Sequence, residues 1–155
     1  NSRMDSIDKA IIGVLQRDSG TPVSEIAESV GLSQTPCWRR IKKLEEDGVI
    51  RRRVALAEPQ ALNLRLTAFV MVKTAQHNEA WLKKFAEAVR RIPEVIELHR
   101  MSGETDYLMK VVCPDMERFD KVYKKLIAAA DFSDVRSSFS METLKSTTEL
   151  PLDYA

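Results

Sequence analysis

The sequence predicts an α+β chain in two parts: a three-helix, winged-helix-like head built on a helix-turn-helix, and a tail that runs β-α-β-β-α-β. Three observations predict it. Residues 23–47, VSEIAESVGLSQTPCWRRIKKLEED, read as a helix, a three-residue turn and a second helix. After Leu64 the apolar period changes to buried, strand-like runs, and a strand-helix-strand unit then occurs twice in succession.

The head opens with a helix over 6–16, where Ile7, Ile11, Val14 and Leu15 share a face and Asp5 is the cap candidate. Thr21 is expected to cap the second helix, with Pro22 at its first position. Ile26, Ala27 and Val30 give that helix an apolar face, Gly31 can stop it in the left-handed conformation, and Ser33 is a natural N-cap for the next. Gly48 ends the third helix, residues 49–57 alternate well enough for a strand, and Glu58-Pro59 with a turn over 60–63 forms a hinge.

The third helix sorts its residues by face. Cys37, Ile41 and Leu44 recur at i, i+4 and i+7 as a narrow apolar stripe that must pack inward. Thr35, Arg39, Lys42 and Glu46 fall opposite it, Trp38 and Lys43 on its borders, and Arg40 beside the core. Gln34, Thr35, Trp38 and Arg39 at its N-terminal end suit the major groove of double-stranded DNA, where Arg bonds guanine in bidentate fashion, Gln does so with adenine, and Thr or Trp meets a thymine methyl. Arg40, Lys42 and Lys43 are placed for phosphates, which fix register and add salt-dependent affinity. A charge run of this kind is otherwise a solvated helix face, and Trp38 otherwise a core residue. Turn, caps and stripe occurring together favour DNA.

In the tail, 66–73 reads as a buried strand and 78–92 as an amphipathic helix with Trp81, Phe85 and Val89 inward. A strand over 95–101 follows the Ile92-Pro93 break. The unit recurs as a strand over 107–113, a helix over 115–130 with Phe119, Val122, Tyr123 and Leu126 inward, and a strand over 135–144. This order is the split, ferredoxin-like arrangement, an antiparallel sheet with both helices on one face. Phe69, Met71, Leu98 and Phe139 or their neighbours are expected on the other face, and an apolar face in a small domain implies a partner, most simply a second copy. The divisions are therefore a head over 4–53, a hinge over 54–63 and a tail over 64–155.

Composition excludes more than it identifies. In 155 residues, 44% hydrophobic and 30% charged, 24 basic residues nearly balance 23 acidic ones, so the surface is not globally basic. Positive charge is instead local, at Arg39, Arg40, Lys42 and Lys43 and again at Arg51, Arg52 and Arg53, with the acidic run Glu45-Glu46-Asp47 available to pair with the latter. Cys37 and Cys113 lie in apolar patterns and form no CxxC pair, so no zinc site or disulfide framework is expected. His77 and His99 are isolated. No nucleophile-base pair, metal spacing or phosphate loop appears, and no cofactor or catalytic residue is assigned. Without a membrane-length apolar run or a signal-peptide pattern, the cytoplasm is the expected compartment. Asn1, Ser2 and Arg3 ahead of Met4 read as an expression remnant.

The head with LSQTPCWRRIKKLEEDG, a hinge strand, and a tail with MSGETDYLMKV together resemble the Lrp/AsnC (feast/famine) family of regulators over essentially 4–152. TPCWRRIKKLEEDG, LTAFVMVKT followed by a histidine, and RSSFSMETLKSTTELPL are most similar to its cysteine-responsive branch. The resemblance implies a sequence-specific regulator of amino-acid metabolism, dimers through the tail sheets assembling into tetramers or octamers, and a small amino-acid effector between dimers. Cysteine is favoured, leucine or methionine next. By this likeness Met101, Ser102, Gly103, Glu104, Asp106 and Tyr107 form the effector loop: the Gly103 backbone meets a ligand carboxylate, and Glu104 or Asp106 accepts from its ammonium group. Leu98, Met101, Ser137, Ser138 and Phe139 are candidates for the side-chain pocket. Family members often have Asp where this chain has Glu104, and a hydroxyl cap where it has Pro22. Read without the family, Gly103-Glu104-Thr105-Asp106 is a hairpin turn. An architectural DNA-wrapping protein and, on fold grounds, a small-molecule enzyme are the alternatives.

Overall fold

Asp5 starts the head by accepting the Asp8 amide at 2.8 Å, which caps α1 (Ser6–Arg17). α2 (Val23–Val30) follows, then α3 (Gln34–Glu46) after a turn of three residues. Gly31 has φ 74°, and the Leu32 amide donates back to Ala27 at 2.9 Å, so the left-handed residue closes α2 while turning the chain into α3. The core of this unit is Ile11, Ile12 and Leu15 of α1, Ile26 and Ala27 of α2, and Cys37, Ile41 and Leu44 of α3. The computed structural model describes residues 3–155, so the reading of Asn1 and Ser2 as a remnant lies outside the described residues.

Three expectations for the head differ from what is observed. Thr21 does not cap α2. Its hydroxyl turns back to donate to the Asp18 carbonyl at 2.9 Å, and Pro22 takes the cap position, its carbonyl accepting from Glu25 and Ile26. Ser33 occupies the N-cap position of α3 without a side-chain cap bond. Residues 49–57 form no strand, because alternation gives a strand only when a neighbour supplies hydrogen bonds and none is offered within the described residues. A short 3-10 turn, Pro59–Leu62, ends this exposed stretch, with Asn63 in the left-handed region.

The second unit, Ala57–Thr143, holds β1 (Leu66–Lys73), α4 (Glu79–Arg90), β2 (Val95–Arg100), β3 (Tyr107–Cys113), α5 (Met116–Ala129) and β4 (Asp134–Phe139). The sheet runs β2-β3-β1-β4 with every neighbouring pair antiparallel. Asn78 and Asp115 cap the two helices by accepting the amides of Trp81 and Arg118 at 2.8 Å. Alternation in β1 and β3 is strict: Ala68, Val70 and Val72, and Tyr107, Met109, Val111 and Cys113, are buried under the helices. Phe85 is the largest fully buried side chain and touches Trp81, Tyr107 and Phe132 at centroid distances of 5.2–5.5 Å.

Register corrects two residues expected on the outer face. Leu98 pairs with Met109 and Phe139 with Ala68, both helix-side positions, and Phe139 meets Phe119 edge-on at 5.0 Å. The apolar part of the outer face is instead Phe69, Met71, Leu108 and Val112, all half-buried. β4 also stops at Phe139 rather than 144. Its partner β1 begins at Leu66, so after the Ser140 amide bonds Thr67 there is no strand left to pair with. Leu144–Ala155, expected in the tail, belongs to the same compact unit as the head helices, because it lies along α1.

Phe85→Ala is expected to cost the tail unit about 3–5 kcal/mol, the usual range for emptying a buried aromatic site. Urea unfolding of the variant checks this, and a loss below about 1 kcal/mol would contradict the packing.

Candidate DNA interface and effector loop

α3 presents two unlike faces. Cys37, Ile41 and Leu44 are buried, and burial pushes the Cys37 thiol above its ordinary value, which leaves it an inert core group. Gln34, Thr35, Trp38, Arg39, Lys42 and Lys43 are all exposed. Trp38 keeps 49% of its surface exposed, against the core alternative, and the Lys42 ammonium lies 5.6 Å from its ring centroid. A flat indole with a cation above it is a surface that can meet thymine methyls and phosphates together. Lys43 is only loosely paired with Asp47, at 3.8 Å with both ends exposed. Glu45 holds Arg53 at 2.7 Å, which answers for one of the three consecutive arginines.

Arg40 stands apart from the other candidates. Its guanidinium lies 2.7 Å from Asp5, the N-cap of α1, and 3.1 Å from Asp8 in that helix's first turn. The Asp8 backbone amide and the Arg40 guanidinium hold the Asp5 carboxyl below its ordinary value, and Asp5 in turn raises Arg40. Arg40 thus fastens α3 to the start of α1 rather than pointing a free charge outward. No signal in the sequence marks this clasp, since its members are 32 and 35 residues apart.

The loop between β2 and β3 is built on Asp106. Its carbonyl accepts from Met101 at 2.8 Å, its amide donates to Val72 at 2.9 Å, and its carboxylate accepts the Thr74 amide at 2.9 Å. Thr74, the one buried polar residue of the described core, donates its hydroxyl to the Asp131 carbonyl at 3.1 Å. Asp106 therefore anchors the loop, and the candidates left exposed for a ligand are Met101, Ser102, Gly103 and Glu104. Gly103 has φ 94°, while a Cβ there would meet nothing within 4 Å. Its glycine answers to conformation rather than crowding. Tyr107 is buried against Trp81 and Phe85, and Leu98 and Ser137 also face the helices. Ser138 lies on the outer face opposite Phe69. The loop leaves at the Val72–Tyr107 end of the sheet, whereas Phe139 sits opposite Ala68, four residues or roughly 13 Å along β1. One copy of the chain does not gather all ten effector candidates. Among the described residues no cluster of three or more His, Cys, Asp or Glu suits a metal ion, and no helix is long and apolar enough to cross a membrane.

Comparison with known proteins decides between the readings. Residues 67–150 match the Lrp/AsnC ligand binding domain and residues 4–51 a winged helix-turn-helix DNA-binding domain. The chain belongs to the Lrp/AsnC family. It is 45% identical to the DNA-binding transcriptional activator DecR of Escherichia coli, over 97% of this chain and 99% of that protein. It is 43% identical to the glutamate uptake regulatory protein of Zymomonas mobilis, over 97% and 92%. An AsnC family regulator from Agrobacterium tumefaciens superposes with a TM-score of 0.93 at 55% identity, over 97% and 99%. A Neisseria meningitidis regulator, solved as a complex with L-methionine, gives 0.92 at 38%, over 98% and 99%. As an Lrp/AsnC member the chain is a DNA-binding transcriptional regulator with a ligand-binding domain, not an enzyme. These relatives support neither the enzymatic nor the architectural alternative.

The Asp5–Arg40 clasp has a pH dependence of definite sign. A carboxyl held below its ordinary value adds stability that is complete above about pH 4 and is lost as pH falls through the lower, folded value. Asp5→Asn keeps an N-cap oxygen but no charge. Its melting temperature is expected to fall less steeply than that of the wild type as pH drops below about 4; parallel slopes would remove the clasp from the account.

Proposed function

We propose that this regulator reads a specific operator with the exposed face of α3 and that a small amino acid gates it. The reading is carried by the outward placement of Gln34, Thr35, Trp38 and Arg39 on a helix whose opposite stripe is buried. These four are the base-reading set, and Lys42 and Lys43 are the phosphate contacts. Arg40 orients α3 through Asp5 and Asp8.

Phe69, Met71, Leu108 and Val112 on the outer sheet face are the proposed seat of a second copy, because a polar rim around a half-buried apolar centre suits a self-complementary contact. Two heads would then address major grooves about 34–36 Å apart or a multiple of that. Dimers are proposed to assemble further into tetramers or octamers, and the protein to act in the cytoplasm. At a joint between dimers, the loop of one chain can meet Ser138 or Phe139 of another, which would supply what a single copy separates. The Gly103 backbone is the carboxylate seat and Glu104 the ammonium acceptor there. Cysteine is the first candidate by likeness to the cysteine-responsive branch. Methionine is supported by the L-methionine complex of the Neisseria relative. Apolar pockets separate neighbouring side chains by only about 1–3 kcal/mol per methylene, so graded binding of several amino acids is expected.

Two outcomes test the reading. Arg39→Ala is expected to cost about 1–3 kcal/mol on the operator and to relax specificity, while Lys43→Ala weakens all sequences alike and lowers the salt slope by about one. Binding titrations on operator and random DNA distinguish them, and equal losses for Arg39→Ala would reassign it to phosphate. Calorimetry with cysteine, methionine and leucine is expected to give heat with the wild type and a weaker response with Gly103→Val, whose branched side chain strains φ 94°. No heat from any of the three, or undiminished binding by the variant, would remove the site. Operator and effector must also alter each other's affinity by the same factor.

A further inference from the structure

After β4 the chain returns to the head. Four residues, 140–143, separate Phe139 from Leu144, where the segment Leu144–Ala155 joins the head's compact unit. Its grip on α1 is centred on one side chain. The Gln16 carboxamide accepts the Leu150 amide at 2.8 Å and donates to the Leu150 carbonyl at 3.2 Å, the reciprocal pair that a neighbouring strand would make. The Gln16 backbone carbonyl accepts from the Thr148 hydroxyl, and Arg17 pairs with Glu149 at 3.3 Å. Leu152 is the one apolar anchor, packed against the head core above Gly13.

Those contacts are few. The Arg17–Glu149 pair is exposed at both ends, Leu150 is 72% exposed and Tyr154 92%. A segment held by one carboxamide, one hydroxyl, one exposed ion pair and one leucine has few of the buried contacts that keep a segment closed. The covalent consequence is specific. The chain passes from head to tail after Leu56 and back before Leu144, so a seated strap gives the head two connections and a released strap leaves it only the exposed linker.

We propose that Leu144–Ala155 is a releasable strap, with Gln16 as its positioning residue, that limits how far the DNA-binding head can turn relative to the ligand-binding domain. Restricting the heads beforehand reduces the orientational freedom lost when two of them engage one duplex. The strap therefore favours DNA with two spaced half-sites and contributes nothing on a single half-site. This consequence for DNA rests on the dimer proposed above, whereas the restriction of the head does not.

The test uses the full chain carrying Glu25→Cys on the exposed face of α2 as the only reactive thiol, since Cys37 and Cys113 are buried. Time-resolved anisotropy of a fluorophore there reports head motion, and hydrogen exchange at the Leu150 amide reports whether the strap is seated. Gln16→Ala and Leu152→Ser are expected to speed that exchange and to enlarge the fast component of the anisotropy decay. Gly13→Ala, whose Cβ would lie 3.8 Å from Leu152, should change neither. Affinity for two spaced half-sites should fall roughly tenfold in the strap variants, with single half-site affinity retained. Fast Leu150 exchange with an unchanged anisotropy decay would overturn the proposal, and so would equal losses on both DNAs, which would make the strap only a part of the head's fold. If Leu152→Ser unfolds the head, Gln16→Glu, which puts a carboxylate oxygen in place of the donor to the Leu150 carbonyl, gives the same reading. Sedimentation as a monomer would sink the dimer alone, because the anisotropy still decides the strap.

Discussion

Everything the head does depends on the burial of one narrow stripe on α3. Cys37, Ile41 and Leu44 are within 5% of complete burial, and three such side chains on one line of a helix fix its rotation. Once that rotation is set, Arg39 and Lys42 have no direction left but outward. The polar face therefore costs nothing extra to present: it is what remains when the apolar stripe has been satisfied. The Asp5–Arg40–Asp8 clasp acts on the same degree of freedom from the flank of the helix. A recognition surface needs this kind of rigidity, because a misaligned bidentate donor forfeits the discrimination that makes it useful.

The tail obeys a similar rule with a different period. Residues alternating along β1 and β3 divide into a helix-covered face and an outer one, and the two helices use only the first. The loop that is proposed to meet the effector hangs from the end of this sheet by Asp106, which bonds Met101 and Val72 through its backbone and commits one carboxylate oxygen to the Thr74 amide. Asp106 holds the loop, and Gly103 and Glu104 are left exposed at its tip.

How much of this was legible in the sequence follows from the range of the forces involved. Caps, turns and amphipathic faces act within a few residues, so the cap at Asp5, the stop at Gly31 and the strands over 66–73 and 107–113 could be read directly, although Thr21 and Ser33 make no cap bond to their helices. Features that need a distant partner could not. The strand expected over 49–57 lacked a neighbour, β4 ran out of one at Phe139, and Leu98 and Phe139 were placed on the wrong face because a strand's facing follows from its register with the next strand. Helical period sets Arg40 beside the core, but its partners Asp5 and Asp8 are far off in sequence and leave no local signal. The strap is the extreme case, since Gln16 and Leu150 are 134 residues apart and neither residue type announces the pairing.

If the outward face of α3 reads a particular DNA sequence, that sequence is recoverable from the DNA the protein retains. Selection of bound duplexes from a random pool, followed by comparison of the enriched sequences, recovers it. Enrichment of two related half-sites is expected, with centres about one helical turn, 10–10.5 base pairs, or a multiple of that apart. Retention of duplexes without any enriched sequence would contradict it and leave only backbone-directed binding.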